Sequence, residues 1–207
     1  MDSSTLKGKV LLGYQGWFRC LGGGTSGTNW SHWTTSGAPT AASISIDMYP
    51  DTREFESGEA CAVPNMTVGE APAYLFSAGN SKTVARHFKW MQHYDGVLVQ
   101  RVVSDIPGNY ASGDAVLKNI MAAALQSGRV FAIEYDISGA NPATLLSTLQ
   151  LDWNYLVNTL QVTSSPRYLR ENGKPVVSVW GIGLNNSKHP PNDIPSALQL
   201  SGFRALA

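Results

Sequence analysis

Glu134 and Asp136 stand two residues apart in the segment RVFAIEYDISG. On a β-strand, residues i and i+2 point the same way with Cα atoms about 6.5–7 Å apart. Two carboxylates converging from one side are what hydrolysis of a glycosidic bond uses, one as acid and one as base or nucleophile. Asp47, in SISIDMYPD, is the third candidate. Aromatic and hydrogen-bonding groups cluster at other strand ends: Tyr14 and Trp17 in GYQGWF, Gln100 and Arg101 in VLVQR, Tyr135 between the two carboxylates, and Trp180 in SVWG. Aromatic faces stack on the apolar side of a pyranose, while carboxylates and Arg take its hydroxyls. Structural roles compete with each assignment. Glu134 and Arg101 would also make an internal ion pair, Asp136 would also pair with an Arg or cap a helix, Asp47 would also cap the following loop, and Trp17 and Trp180 would also serve as core.

Other chemistries find no footing. No two histidines and a carboxylate have metal-ligand spacing, so no metal is expected. No G-x-S-x-G elbow presents a serine, and neither Cys20 nor Cys61 has a convincing histidine partner. Gly22-Gly23-Gly24 follows a strand but no helix pattern follows it, and no dinucleotide or P-loop fingerprint occurs, so no cofactor is expected. The 207 residues carry no net charge at pH 7 and no basic run, which argues against nucleic acid. No apolar stretch approaches the ~18 residues that span a membrane.

The elements that must position these groups alternate. Strands are expected at Lys9–Tyr14, Ser43–Met48, Gly96–Val103, Arg129–Asp136 and Pro175–Gly181. The last three are nearly continuous apolar runs, as in parallel strands buried on both faces. Between them, Val84, Phe88 and Met91 mark one helix. Asp114 is placed to cap a second, which Gly128 closes. Asn141-Pro142 opens a third, with Leu145, Leu149, Trp153, Leu156 and Leu160 as its buried stripe. The histidines His87 and His93 read as surface or interhelix groups, and Trp90 and Trp153 as core. Residues 21–39 and 51–80 read as long loops after strands. Such a βα alternation means parallel strands with right-handed crossovers, in a barrel or a doubly wound sheet. Cys20 and Cys61 are as compatible with a disulfide as with two buried thiols. Asn29, Asn65 and Asn185 head N-glycosylation sequons.

GYQGWF, IDMYPD, RHFKWMQHYDGVLVQR, EYDISG and NGKPVVSVWGIG, in that order, resemble the motifs of the glycoside hydrolase family 71/99-like domain, which includes xylosidase/arabinosidase-like members and endo-α-mannosidases. The resemblance implies an α/β fold, a (β/α)8 TIM-type barrel, of which about five to six βα units would be present in a single domain over residues 1–207. It implies a glycan as partner, bound at the C-terminal rim by Tyr14, Trp17, Asp47, Gln100, Arg101, Tyr135, Asp136 and Trp180. The family's later carboxylate motifs, N-E-W-x-E or D-E-x-D-E-G, do not occur here. Hydrolysis is then expected to be weak or absent unless Glu134 and Asp136 carry it, and a carbohydrate-binding, lectin-like role is the alternative. A barrel stopped at this point leaves open sheet edges that would template a homodimer. MDSSTLKGKV lacks a signal-peptide apolar region. Either Met1 is a start that follows signal removal or the protein is not exported; the resemblance implies a secreted protein, and the sequons agree weakly with that.

Overall fold

The computed structural model describes residues 1–20, 30–106, 108 and 110–182. In chain order its elements are β1 (Leu11–Tyr14), β2 (Ala60–Val68), β3 (Ala71–Phe76), α1 (Ser81–Trp90), β4 (Gly96–Val102), α2 (Tyr110–Ser127), β5 (Val130–Asp136), α3 (Leu145–Asn158), β6 (Arg170–Glu171), β7 (Lys174–Pro175) and β8 (Val177–Trp180). The chain divides into two compact units. Among the described residues, one comprises Met1–Tyr14, those within His93–Tyr110, and those from Ala124 to Ile182; the other comprises those within Gln15–Gln92 and Ala111–Ala123.

The first unit is built on a parallel sheet in the order β1-β4-β5-β8. Each strand pairs with the next, and α1, α2 and α3 fall in turn between them in sequence. This is the βα repeat of an α/β barrel, with four of its parallel strands among the described residues. Every residue of β5 is buried, as a central parallel strand requires. Gly96 opens β4 where a Cβ would lie 1.9 Å from the Val130 carbonyl oxygen, so only glycine lets β4 and β5 close here. The stripe Leu145, Leu149, Trp153 and Leu156 buries one face of α3, and Asp152 lies fully buried within it.

Before β8, Asn172 and Gly173 both adopt positive φ (52° and 77°) and link β6 to β7. This Asn-Gly pair suits a two-residue hairpin turn whose central residues both need φ > 0. Buried Tyr168 donates its hydroxyl to the Val176 carbonyl at 2.8 Å and packs edge-on against Phe131, 5.2 Å between centroids.

The second unit carries the antiparallel hairpin β2–β3. Gly69, at φ 62°, opens the two-residue turn Gly69–Glu70, a position where a β-carbon would be strained. Cys20 and Cys61 are joined as a disulfide. Cys20 lies in a core with Trp30, Trp33, Val63, Ala73 and Leu75. Asn80 caps α1 by accepting from the N–H groups of Lys82 and Thr83.

Several sequence expectations are corrected. Ser43–Met48 forms no strand; Ile44 makes only an isolated bridge to Thr34. Its alternating Ile44 and Ile46 instead pack onto the second unit's core from irregular backbone. The stretch 51–80, read as loop, contains β2 and β3. Asp114 does not cap α2, which starts four residues earlier at Tyr110, and its side chain is buried inside the helix. Likewise, α3 starts at Leu145 with Thr144 as N-cap, after a turn in which Asn141 accepts from the Ala143 N–H. Met91 lies beyond the end of α1. Trp90 is exposed rather than core, stacked on Phe55 with its indole N–H on Glu54. His87 is partly buried against Phe76. The stretch 21–29, within the first expected long loop, and the sequons at Asn29 and Asn185 lie outside the described residues.

Candidate functional site

Alternation along β4 and β5 divides the candidate residues between the two faces of the sheet. The register aligns Gln100, Glu134 and Ser178 in one row across β4, β5 and β8, and places Val102, Asp136 and Trp180 in the next row toward the strands' C-terminal ends. These six share a face. Gly13 belongs to it too, since a Cβ there would lie 4.0 Å from Gln100 Nε2. Arg101 and Tyr135 take the opposite face, against α3, and Tyr14 shares that side by its register with Val99. In a (β/α) barrel the helices lie outside. The Glu134 row therefore faces the side that forms a barrel's interior.

Glu134 is buried, and both of its oxygens accept from neutral groups: Oε2 from Gln100 Nε2 at 3.1 Å and Oε1 from Ser178 Oγ at 3.0 Å. Among the described residues, Gln100 Oε1 is buried without a hydrogen-bond partner. An orphaned acceptor of this kind costs free energy unless a donor reaches it. Asp136 is also buried, and its Oδ1 accepts from the N–H and the hydroxyl of Ser138, which turns the chain off β5. Beside Asp136, Trp180 is 43% exposed, so a large aromatic surface adjoins the strand-end carboxylate. This face can offer fixed acceptors, a hydroxyl and an indole platform.

On the other face, Asp152 accepts from Arg101 Nε at 2.6 Å, Arg101 Nη2 at 2.7 Å and the Tyr135 hydroxyl at 2.9 Å. Burial, followed by the neighbouring Asp152 carboxylate, pushes the Tyr135 phenol well above its ordinary range; burial alone does so for Tyr14. Arg101 is thus paired with Asp152 rather than with Glu134. In the second unit, Trp17 stacks on His32, 5.2 Å between centroids, and Asp47 is exposed on a bend. Among the described residues, no group of three or more His, Cys, Asp or Glu side chains converges as a metal site would need.

Sequence reasoning missed Ser178 and Asp152. A signal existed for each: Ser178 interrupts the apolar run PVVSVWG, and Asp152 falls seven residues after Leu145, inside the buried stripe of α3. A carboxylate at such a position needs a partner.

No family model matches the sequence, and no curated protein matches it. Solved structures do resemble it. One is a GH99 endo-α-mannosidase from Bacteroides thetaiotaomicron in complex with BIS-TRIS-propane, with a TM-score of 0.52 and 17% identity, covering 84% of this chain and 42% of that one. A second structure, described as the GH99 endo-α-mannosidase from the same organism, has a TM-score of 0.50 and 15% identity, covering 86% of this chain and 45% of the other. The chain spans less than half the length of either. At this identity the likeness shows the fold: an α/β protein carrying part of a (β/α)8-type barrel. Among the described residues no helix is long and apolar enough to cross a membrane.

Proposed function

We propose that this chain is a carbohydrate-active protein of the glycoside hydrolase type, taking a glycan on the face that carries Gln100, Glu134, Asp136, Ser178 and Trp180. The pairing of Asp136 with Trp180 carries the reading. A carboxylate accepts sugar hydroxyls while an adjacent indole covers the apolar face of the ring. Gln100 Oε1 offers a further acceptor that a hydroxyl would satisfy. In the hydrolytic form of the reading, Asp136 and Glu134 are the two carboxylates, and the protein works outside the cell.

A second reading, a lectin-like protein that binds without cleaving, is favoured by the engagement of both Glu134 oxygens. An acid catalyst must give up a proton to the leaving oxygen. A carboxylate that accepts on both oxygens is set to orient its neighbours instead. On either reading Arg101 and Tyr135 support the strands from the α3 side, and Trp17 and Asp47 belong to the second unit.

The deciding experiment measures reducing-sugar release from a panel of α- and β-linked glycans by the wild type, Asp136→Asn and Glu134→Gln, with glycan affinity read in parallel. Hydrolysis is supported if the wild type releases sugar and Asp136→Asn lowers the rate by about 10²-fold or more, the scale of a lost acid–base group. Binding without release, weakened several-fold by Trp180→Ala, supports the lectin-like form. A folded wild type that neither binds nor cleaves any of the panel rejects both.

A further inference from the structure

We infer that Asn65 is an N-glycosylation site. The inference stands apart from the glycan-binding reading, since Asn65 belongs to the second unit. Asn65-Met66-Thr67 satisfies the acceptor pattern, with neither Met66 nor the following Val68 a proline. Such sequons also arise by chance, so the weight lies on where the hairpin puts this one.

Strand β2 departs from its partner here. Between the pairs Ala62↔Tyr74 and Thr67↔Pro72, the four residues Val63 to Met66 face the single residue Ala73. Val63 turns inward and is 4% exposed. Pro64 has no N–H to give to a ladder, and Pro64, Asn65 and Thr67 are exposed. The excess chain is thus extruded toward solvent with the acceptor amide on it. A bulky glycan attached there displaces no core contact.

The second observation is chemical. Cys61, four positions before Asn65, is bonded to Cys20. Structural disulfides form and persist in oxidising compartments, which in eukaryotic cells include the one where N-glycans are added. The transfer itself is balanced. Asn65 Nδ2 attacks the anomeric carbon of a lipid-linked oligosaccharide diphosphate and the new N–C bond forms. The bond from that carbon to the diphosphate oxygen breaks and the diphosphate leaves with its electron pair. The proton lost from Nδ2 passes to the transferase's base.

Asn65 also has a purely conformational explanation, because its φ of 56° is one that Asn tolerates better than most residues. Thr67 separates the two roles. Thr67→Ala destroys the acceptor pattern and leaves Asn65 and its backbone in place, whereas Thr67→Ser preserves the pattern. The test is secretion of the full chain, behind a cleavable leader, from a eukaryotic host that makes N-glycans. The tryptic peptide spanning 54–82 is then mapped before and after enzymatic glycan release. The expected result is a glycan on this peptide, an asparagine-to-aspartate mass shift at position 65 on release, loss of both in Thr67→Ala and retention in Thr67→Ser. Recovery of the wild-type peptide unmodified at Asn65 overturns the inference, and so does a modification that persists in Thr67→Ala.

Discussion

Arg101 on β4 and Asp152 on α3 form a two-pronged ion pair with almost no solvent around it; their side chains are 9% and 0% exposed. The pair ties a helix to the sheet. The Tyr135 hydroxyl joins it from β5, so one carboxylate holds two adjacent strands. Removing one partner of a buried pair leaves the other charge uncompensated at a cost of about 3–5 kcal/mol, whereas replacing both with apolar groups is often neutral. Arg101→Met and Asp152→Leu are each expected to shift the urea midpoint strongly downward, and the double variant is expected to recover most of the loss. Tyr135→Phe, which removes a single donor, is expected to cost about 0.5–1.5 kcal/mol. Glycan affinity per folded molecule should stay unchanged in Tyr135→Phe. A large affinity loss at unchanged stability would return Tyr135 to the binding surface.

How far such arrangements are legible in a sequence depends on which periodicity is applied. Strands β4, β5 and β8 were legible because apolar runs bounded by polar ends admit few other structures. The faces were legible too, but only by counting: Gln100 and Arg101 are neighbours, as are Tyr135 and Asp136, and adjacent strand residues point to opposite sides. Treating each pair as one rim cluster merged two environments. SISIDM misled for a different reason. Its alternation is real, but a disulfide-linked aromatic core draws Ile44 and Ile46 in from irregular backbone. The β2–β3 hairpin was hidden by its own Pro64, Asn65, Gly69 and Pro72, residues that read as loop punctuation. The pairing of Cys20 with Cys61 is a three-dimensional fact that spacing along the chain does not encode.

That disulfide closes a loop with a sequence separation of 41 residues. Loop-closure entropy for such a span corresponds to about 4 kcal/mol, subject to strain and residual structure in the unfolded chain. The Cys20→Ala/Cys61→Ala double variant is expected to lose about 2–4 kcal/mol. Reductant should shift the wild-type unfolding midpoint in the same direction and leave the double variant unmoved. Equal midpoints for the wild type and the double variant without reductant would mean that the cross-link adds nothing to the packing of Trp30, Trp33 and Leu75 around it.

His87 supplies a pH dependence with a definite sign. Burial against Phe76 pulls its imidazole from 6.5 down to about 4, opposed by the Glu59 carboxylate. The unfolded chain therefore takes up this proton at a higher pH than the folded chain. Between those two values the unfolded state holds more protons, so stability falls as pH falls. The full shift corresponds to at most about 3 kcal/mol, and to less in proportion to the solvent that reaches a partly buried ring. Glu59 acts in a lower window. The Arg86 guanidinium holds its carboxylate below the ordinary 4.5, so its contribution is complete above that value and is lost only as pH falls through the depressed one. Unfolding measured from pH 7.5 to 4.5 is expected to show declining stability in the wild type and a flatter profile in His87→Gln, whose amide takes no proton. If both decline with the same slope, the proton is taken up by another group.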